Sequence, residues 1–135
     1  MKEILRKLDH IGIAVENLAD SIRFFRLLGF EECSSIILDE LQKVQIIFME
    51  NHHLKIELVA NNDNSTTVSP WLNISKIYPY HFAFQVDNFS QAIINLKKSG
   101  FKQIGEPAAA KAFNGSLIAF MISKELFLVE LIEKK

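Results

Sequence analysis

Apolar and polar positions alternate along this chain with two periods, and the periods come in the same order twice. From residue 10 to 15 the period is two. Ile11, Ile13 and Val15 fall on one face, and His10, Gly12 and Ala14 on the other, which predicts a strand. The two small residues beside His10 leave room for a ligand on its face. From Leu18 the period lengthens. Leu18, Ile22, Phe25 and Leu28 recur at helical spacing, with Asn17 as N-cap, Asp20 at the third helical position and Gly29 as the left-handed terminator. Further strands are predicted around 32–38, at 44–49 and at 54–60, separated by polar turns at Asp39-Glu40 and at 50–53. In the last strand Leu54, Ile56 and Leu58 share one face, and Lys55, Glu57 and Val59 the other. The unit reads β-α-β-β-β. A polar, turn-forming stretch follows at 61–67. Ser69-Pro70-Trp71-Leu72 then starts a short helix, with Pro70 in its first turn and Trp71 as a packing anchor.

The second copy lies 71 positions on. That offset carries His10 to His81, Val15 to Val86, Asn17 to Asn88, Ile22 to Ile93, Gly29 to Gly100 and Phe30 to Phe101. The predicted elements are a strand at 81–86 and a helix capped by Asn88, with Gln91 at the capping-box position. Its buried stripe is Phe89, Ile93 and Leu96, and Gly100 ends it. A short strand at 101–104, a turn-rich segment at 106–112 and strands at 116–122 and 127–132 follow. An offset of 73 lays residues 44–59 on 117–132 without a gap, and Glu57 on Glu130. The predicted fold class is α+β: two tandem βαβββ modules, 8–60 and 79–133, joined by a linker at 61–78 within one domain, 1–135.

Composition narrows the functional classes. With 135 residues, 49% of them hydrophobic, the chain can bury a real core. A formal net charge of −1 without long runs of one sign gives no polyanion-binding surface, so no nucleic-acid partner is expected. No stretch is apolar long enough for a signal peptide or a membrane span, and the single cysteine cannot form an internal disulfide. A cytoplasmic protein is expected. Cys33 follows Glu31 and Glu32, whose carboxylates would raise a thiol pKa, so it reads as an ordinary thiol and not a nucleophile. His52 and His53 do not recur, since Lys124-Glu125 occupies the matching turn, and they read as turn residues.

The repeat carries two polar residues into matching places. His10 and Glu57 in the first copy correspond to His81 and Glu130 in the second. Each Glu is flanked by apolar neighbours, Ile56 and Leu58 or Val129 and Leu131, so alternation turns it away from the helix-packed core. A lone strand His, or a lone Glu in an apolar strand, is commonly a surface residue. Recurrence of both in a repeat with few other identities points to a shared role. Two imidazoles and two carboxylates suit one divalent ion, Ni²⁺, Co²⁺, Zn²⁺, Mn²⁺ or Fe²⁺, and in an octahedral shell they leave two positions for water or substrate.

At these residues the sequence resembles the vicinal oxygen chelate superfamily of glyoxalase I, methylmalonyl-CoA epimerase, extradiol dioxygenases and bleomycin-resistance proteins. The likeness runs from Leu8 to Glu133. It implies a curved mixed sheet around a metal-binding cavity, with His10, Glu57, His81 and Glu130 at the metal positions of the glyoxalase I and epimerase branches. The wording of residues 10–15 and of 128–133, and Ser69-Pro70 after the fourth strand, look most like the epimerase branch. Two positions depart from it. Glu57 stands where epimerases commonly have Gln and glyoxalase I has Glu. Leu41 stands where an acid is expected before a Gln-Gly-Val-like segment, with Glu40 one residue away. The implied activity is proton movement next to a carbonyl, with Glu130, then Glu57, as the base. The implied substrates are the hemithioacetal of a thiol such as glutathione, as for a lactoylglutathione lyase, or a 2-methyl-branched acyl-CoA. The alternative is a non-catalytic binding protein of the bleomycin-resistance type. A dioxygenase fits less well, because that branch uses two His and one carboxylate. The resemblance also implies a homodimer, and Phe24 and Leu27 add apolar surface to the first helix beyond its sheet-facing stripe.

Overall fold

Both helices start at the asparagines that the sequence marks. In the computed structural model, which describes residues 7–134, α1 spans Leu18–Leu27 and the Asn17 side chain accepts the Asp20 N–H at 2.9 Å. The matching helix spans Phe89–Lys98, with Asn88 accepting the Gln91 N–H at 3.0 Å. These side chains satisfy amide donors that a helix start leaves open. Gly29 and Gly100, at φ +92° and +99°, turn the chain out of each helix in a conformation that a side chain disfavours.

The described residues fall into two packing units, one from His10 to Tyr80, the other Lys7–Asp9 with His81 onward. In the first, β1 (Lys7–Val15), α1, β2 (Glu31–Glu32), β3 (Ile37–Asp39), β4 (Val44–Asn51), β5 (Leu54–Asn61) and a short α2 (Ser69–Leu72) follow in order. The ladder runs β2-β4-β5-β1, and β3 also pairs with β4. In the second, β6 (Ile77–Val86), α3 (Phe89–Lys98), β7 (Lys102–Ala109), β8 (Leu117–Ile122) and β9 (Leu128–Glu133) form the ladder β6-β9-β8-β7. In each unit the opening strand lies parallel to the closing one and the other pairs are antiparallel. A parallel pair cannot be joined by a tight turn, so the helix and intervening strands form the crossover. The fold is α+β, built from two βαβββ modules.

Each helix lays its apolar stripe on one face of its own sheet. Leu18, Ile22 and Phe25 pack with Ile13, Val15, Ile47, Met49, Ile56 and Leu58. Phe89, Ala92 and Leu96 pack with Val86, Ala119, Met121, Val129 and Leu131, and Ile93 is partly buried against them. Each fully buried large side chain contributes about 1.5–3 kcal/mol. Leu28 does not join the stripe. It is the exposed C-cap, because α1 has already ended at Leu27.

Three elements differ from the sequence reading. The single strand expected around 32–38 is split into β2 and β3. Between them Cys33 N–H donates to the Phe48 carbonyl, and Ser34 Oγ accepts the Phe48 N–H, so a side chain replaces part of the ladder. The short strand at 101–104 instead continues to Ala109. It passes through a register shift between Ile104 and Ala108, made possible by Gly105 at φ +68°. Pro107 sits in that irregular stretch of an edge strand, where its missing donor costs no ladder bond. The strand expected from 81 begins at Ile77 and takes in the exposed Pro79. The short helix α2 forms as expected. Asn61 fastens it by accepting the Val68 N–H and donating to Ser69 Oγ, and Trp71 packs on Tyr80 with ring centroids 4.5 Å apart.

Candidate metal centre

In the first unit Glu57 lies on β5 between Ile56 and Leu58. Those two side chains enter the helix-packed core, so alternation turns Glu57 to the opposite face. Gly12 is its parallel neighbour on β1, and His10, two residues earlier, shares that face. His10 is fully buried and Glu57 is 4% exposed, with Nε2 and Oε1 3.4 Å apart. Phe48 stands opposite Glu57 across the β4–β5 ladder, and its ring meets His10 edge to face, centroids 5.5 Å apart.

The second unit repeats this. Val129 and Leu131 enter the core and Glu130 faces away, next to Ala83 on β6. His81 and Glu130, 2% and 3% exposed, approach to 3.2 Å between Nε2 and Oε1. Phe120 stands opposite Glu130 and meets the His81 ring edge to face at 5.6 Å. The structure thus pairs His10 with Glu57 and His81 with Glu130. Each pair is a buried His–Glu group of the kind that could hold a metal ion.

The donor set fits such an ion on two counts. Burying a carboxylate costs several kcal/mol unless a cation offsets it, and here each His–Glu pair buries one. The separations also match. Two ligand atoms about 2.1 Å from one ion lie about 3.0–3.4 Å apart when the angle between them runs from a right angle to tetrahedral. The observed 3.4 and 3.2 Å fall in that range.

Sequence reasoning missed the two phenylalanines. The gapless 73-residue offset places Phe48 on Met121, a core residue. The ladders instead set Phe48 opposite Glu57 and Phe120 opposite Glu130. The first hairpin closes from Asn51 to Leu54 through His52-His53, whereas the second needs residues 123–127 between Ile122 and Leu128, with Leu126 at φ +69°. One extra residue is absorbed in that turn. An aromatic shortly before each Glu was the available signal.

The remaining candidates lie elsewhere. Glu40 and Leu41 are exposed in the turn after β3. The carboxylate buried there is Asp39, 2% exposed, which accepts Gln42 N–H at 2.9 Å and Gln42 Nε2 at 2.8 Å and so fixes the turn. His52 and His53 are exposed in the β4–β5 turn. The Cys33 thiol is pushed up, first by partial burial and then by the charge of Glu50. The direction is the one expected, but the carboxylate responsible is not Glu31 or Glu32. Away from the pairs, Arg26 holds the Glu32 carboxylate below its usual range and ties α1 to β2. Among the described residues no helix is long and apolar enough to cross a membrane.

Comparison with known proteins agrees with this architecture. A family model described as the Glyoxalase/Bleomycin resistance protein/Dioxygenase superfamily matches residues 9–120. Mitochondrial methylmalonyl-CoA epimerase of Mus musculus is 28% identical over 123 residues, which cover 90% of this chain and 68% of the mouse protein. The uncharacterized protein YqjC of Bacillus subtilis (strain 168) is 30% identical over 134 residues, 97% of this chain and 94% of its own. The crystal structure of methylmalonyl-CoA epimerase from Mycobacterium tuberculosis has a TM-score of 0.83 at 23% identity. The match covers 100% of this chain and 92% of that one, a likeness of fold.

Proposed function

This chain belongs to the Glyoxalase/Bleomycin resistance protein/Dioxygenase superfamily, and we propose that it is a divalent-metal-dependent isomerase of the methylmalonyl-CoA epimerase type. It takes a proton from the carbon next to a thioester carbonyl and returns it to the other face. The observation that carries this reading is the duplicated buried pair, His10–Glu57 and His81–Glu130. The relatives named methylmalonyl-CoA epimerases supply the substrate class.

In this reading His10, Glu57, His81 and Glu130 hold one ion between them. Each unit offers two ligands, fewer than the ion's usual four or more, so neither pair suffices alone. When bound, the ion supplies Lewis-acid stabilisation of negative charge developing on the substrate oxygen. Glu130 is the base: its carboxylate takes the proton from carbon and gives it back. Burial matters to that task. Glu130 is 3% exposed with Phe120 across the ladder, so little water competes for the proton it holds. Glu57 is the second carboxylate able to take this role. The protein acts as a homodimer in the cytoplasm, on a small-molecule thioester.

The test is proton exchange. Metal-loaded protein incubated with methylmalonyl-CoA in D₂O should replace the α-proton by deuterium. Glu130→Gln should keep most of the bound metal and lose about a hundredfold or more of the exchange rate, the usual contribution of a positioned acid or base. Exchange by Glu130→Gln at the wild-type rate would reject Glu130 as the base. A second reading, a glyoxalase I-type lactoylglutathione lyase, is favoured by one observation, the carboxylate of Glu57 beside His10. Formation of S-lactoylglutathione from methylglyoxal and glutathione, without exchange on methylmalonyl-CoA, would select it. Protein that takes up no metal after reconstitution with Ni²⁺, Co²⁺ or Zn²⁺ would favour a binding module of the bleomycin-resistance type.

A further inference from the structure

The two half-sites match in histidine, glutamate and phenylalanine, but not at the next position towards the hairpin. Two residues before Glu57 on β5 stands Lys55. Two residues before Glu130 on β9 stands Leu128, an apolar, buried residue. Alternation puts Lys55 on the face of β5 that carries Glu57, about 6.8 Å along the strand. Its Nζ lies over the ring of Phe48, 5.1 Å from the centroid, and this is the ring that stands opposite Glu57 and meets His10 edge to face. Lys55 is partly buried, and Glu50 is its direct neighbour across the ladder.

Two carboxylates and one divalent ion sum to no net charge, so the four ligands leave no surplus positive charge for an anionic substrate to meet. A lysine on the same face, held against the ring beside the pair, supplies one. Because its counterpart is leucine, it does so on one side only, which gives the substrate a direction. We propose that Lys55 binds an anionic oxygen group of the substrate and so orients it against the His10–Glu57 half-site. This rests on the acyl-CoA reading above, in which two groups have the required chemistry. They are a carboxylate on the carbon that loses the proton and the phosphates of coenzyme A.

The test compares wild type with Lys55→Met, which keeps a stem over Phe48 and removes the charge, and with Lys55→Arg, which keeps the charge. Binding is read by titration calorimetry with malonyl-CoA, with propionyl-CoA, which lacks the carboxylate, and with malonyl-pantetheine, which lacks the nucleotide phosphates. Turnover of methylmalonyl-CoA is measured in parallel. Lys55→Met should weaken malonyl-CoA binding ten- to a hundredfold, as expected for losing one charge-assisted hydrogen bond. Lys55→Arg should recover most of it, and metal content should not change in either variant. If the carboxylate is the ligand, malonyl-pantetheine shows the same loss and propionyl-CoA none. If a phosphate is the ligand, the pattern reverses. Either pattern supports the proposal. Equal binding of all three probes by wild type and Lys55→Met overturns it, even where wild type epimerises methylmalonyl-CoA and the functional reading stands. Lysine-dependent binding by a protein that never epimerises would leave the proposal standing and remove the functional reading. Wild type that binds none of the probes removes both.

Discussion

Removing metal from this protein should lower its thermal stability by an amount that can be set in advance. The four proposed ligands are at most 4% exposed, and their two carboxylates are buried. An ion that binds the folded chain alone stabilises it by about 2.7 kcal/mol at a hundredfold excess over Kd, and about 4.1 kcal/mol at a thousandfold. Unfolding entropy scales with length, at about 2.1 cal/mol/K per residue. For 135 residues those energies correspond to a rise in Tm of about 10–14 °C. The assay is differential scanning fluorimetry of chelator-stripped protein, titrated with Ni²⁺, Co²⁺, Zn²⁺ or Mn²⁺. His10→Ala and His81→Ala also lose an edge-to-face contact with Phe48 or Phe120, so their metal-free Tm falls too. The informative quantity is the metal-induced shift, not the absolute Tm. If losing a ligand lowers affinity at least as much as losing an outer-shell partner, 10–100-fold, the shift shrinks by about 5–10 °C in each variant. Equal shrinkage in the two variants is expected if one ion uses both pairs. A shift that survives in His81→Ala and vanishes in His10→Ala would mean that one unit binds alone. No shift with any ion in wild type would refute the metal reading.

Two other expectations concern stability and assembly. Asn17→Ala and Asn88→Ala each remove one N-cap hydrogen bond and should each cost about 1 kcal/mol, near 3–4 °C in Tm by the same scaling. Equality with wild type in both would show that the caps are made by other groups. On α1, Phe24 and Leu27 are 44% and 85% exposed, and a homodimer that covers them should dissociate in the Phe24→Glu, Leu27→Glu double variant. Sedimentation velocity at micromolar concentration reads this directly, and a monomeric wild type would end the idea.

What the sequence made legible follows from what repeats. Helix starts were readable because Asn17 and Asn88 act locally, each through a hydrogen bond three residues on. The faces of β1, β5, β6 and β9 were readable because strand alternation needs no knowledge of the partner strand. The failures lie where pairing decides. Nothing between residues 32 and 38 announces that the Ser34 hydroxyl will take the place of a ladder partner for the Phe48 N–H. Likewise, 101–109 reads as a short strand and a loop. Only the ladder with β8 holds its far end, across an irregular stretch that contains Gly105 and Pro107.

The one-residue difference between the hairpins is the most instructive of these failures. Sliding 44–59 onto 117–132 without a gap is correct for β9, where Glu57 finds Glu130 and Lys55 finds Leu128. It is wrong for β8, because strand register is set by the turn. A shift of one residue exchanges the faces of a strand, so the gapless offset assigns Met121 to the face that Phe120 occupies. Met121 is in fact fully buried in the core beneath α3. The register corrects the repeat in a way that bears on function. It adds an aromatic wall to each His–Glu pair, and it leaves Lys55 and Leu128 as a matched position where the halves differ in charge. A duplicated site binding a symmetric ion has no need of that difference. A substrate with unlike ends does, and the asymmetry sits one alternation from Glu57, on the same face of the same strand.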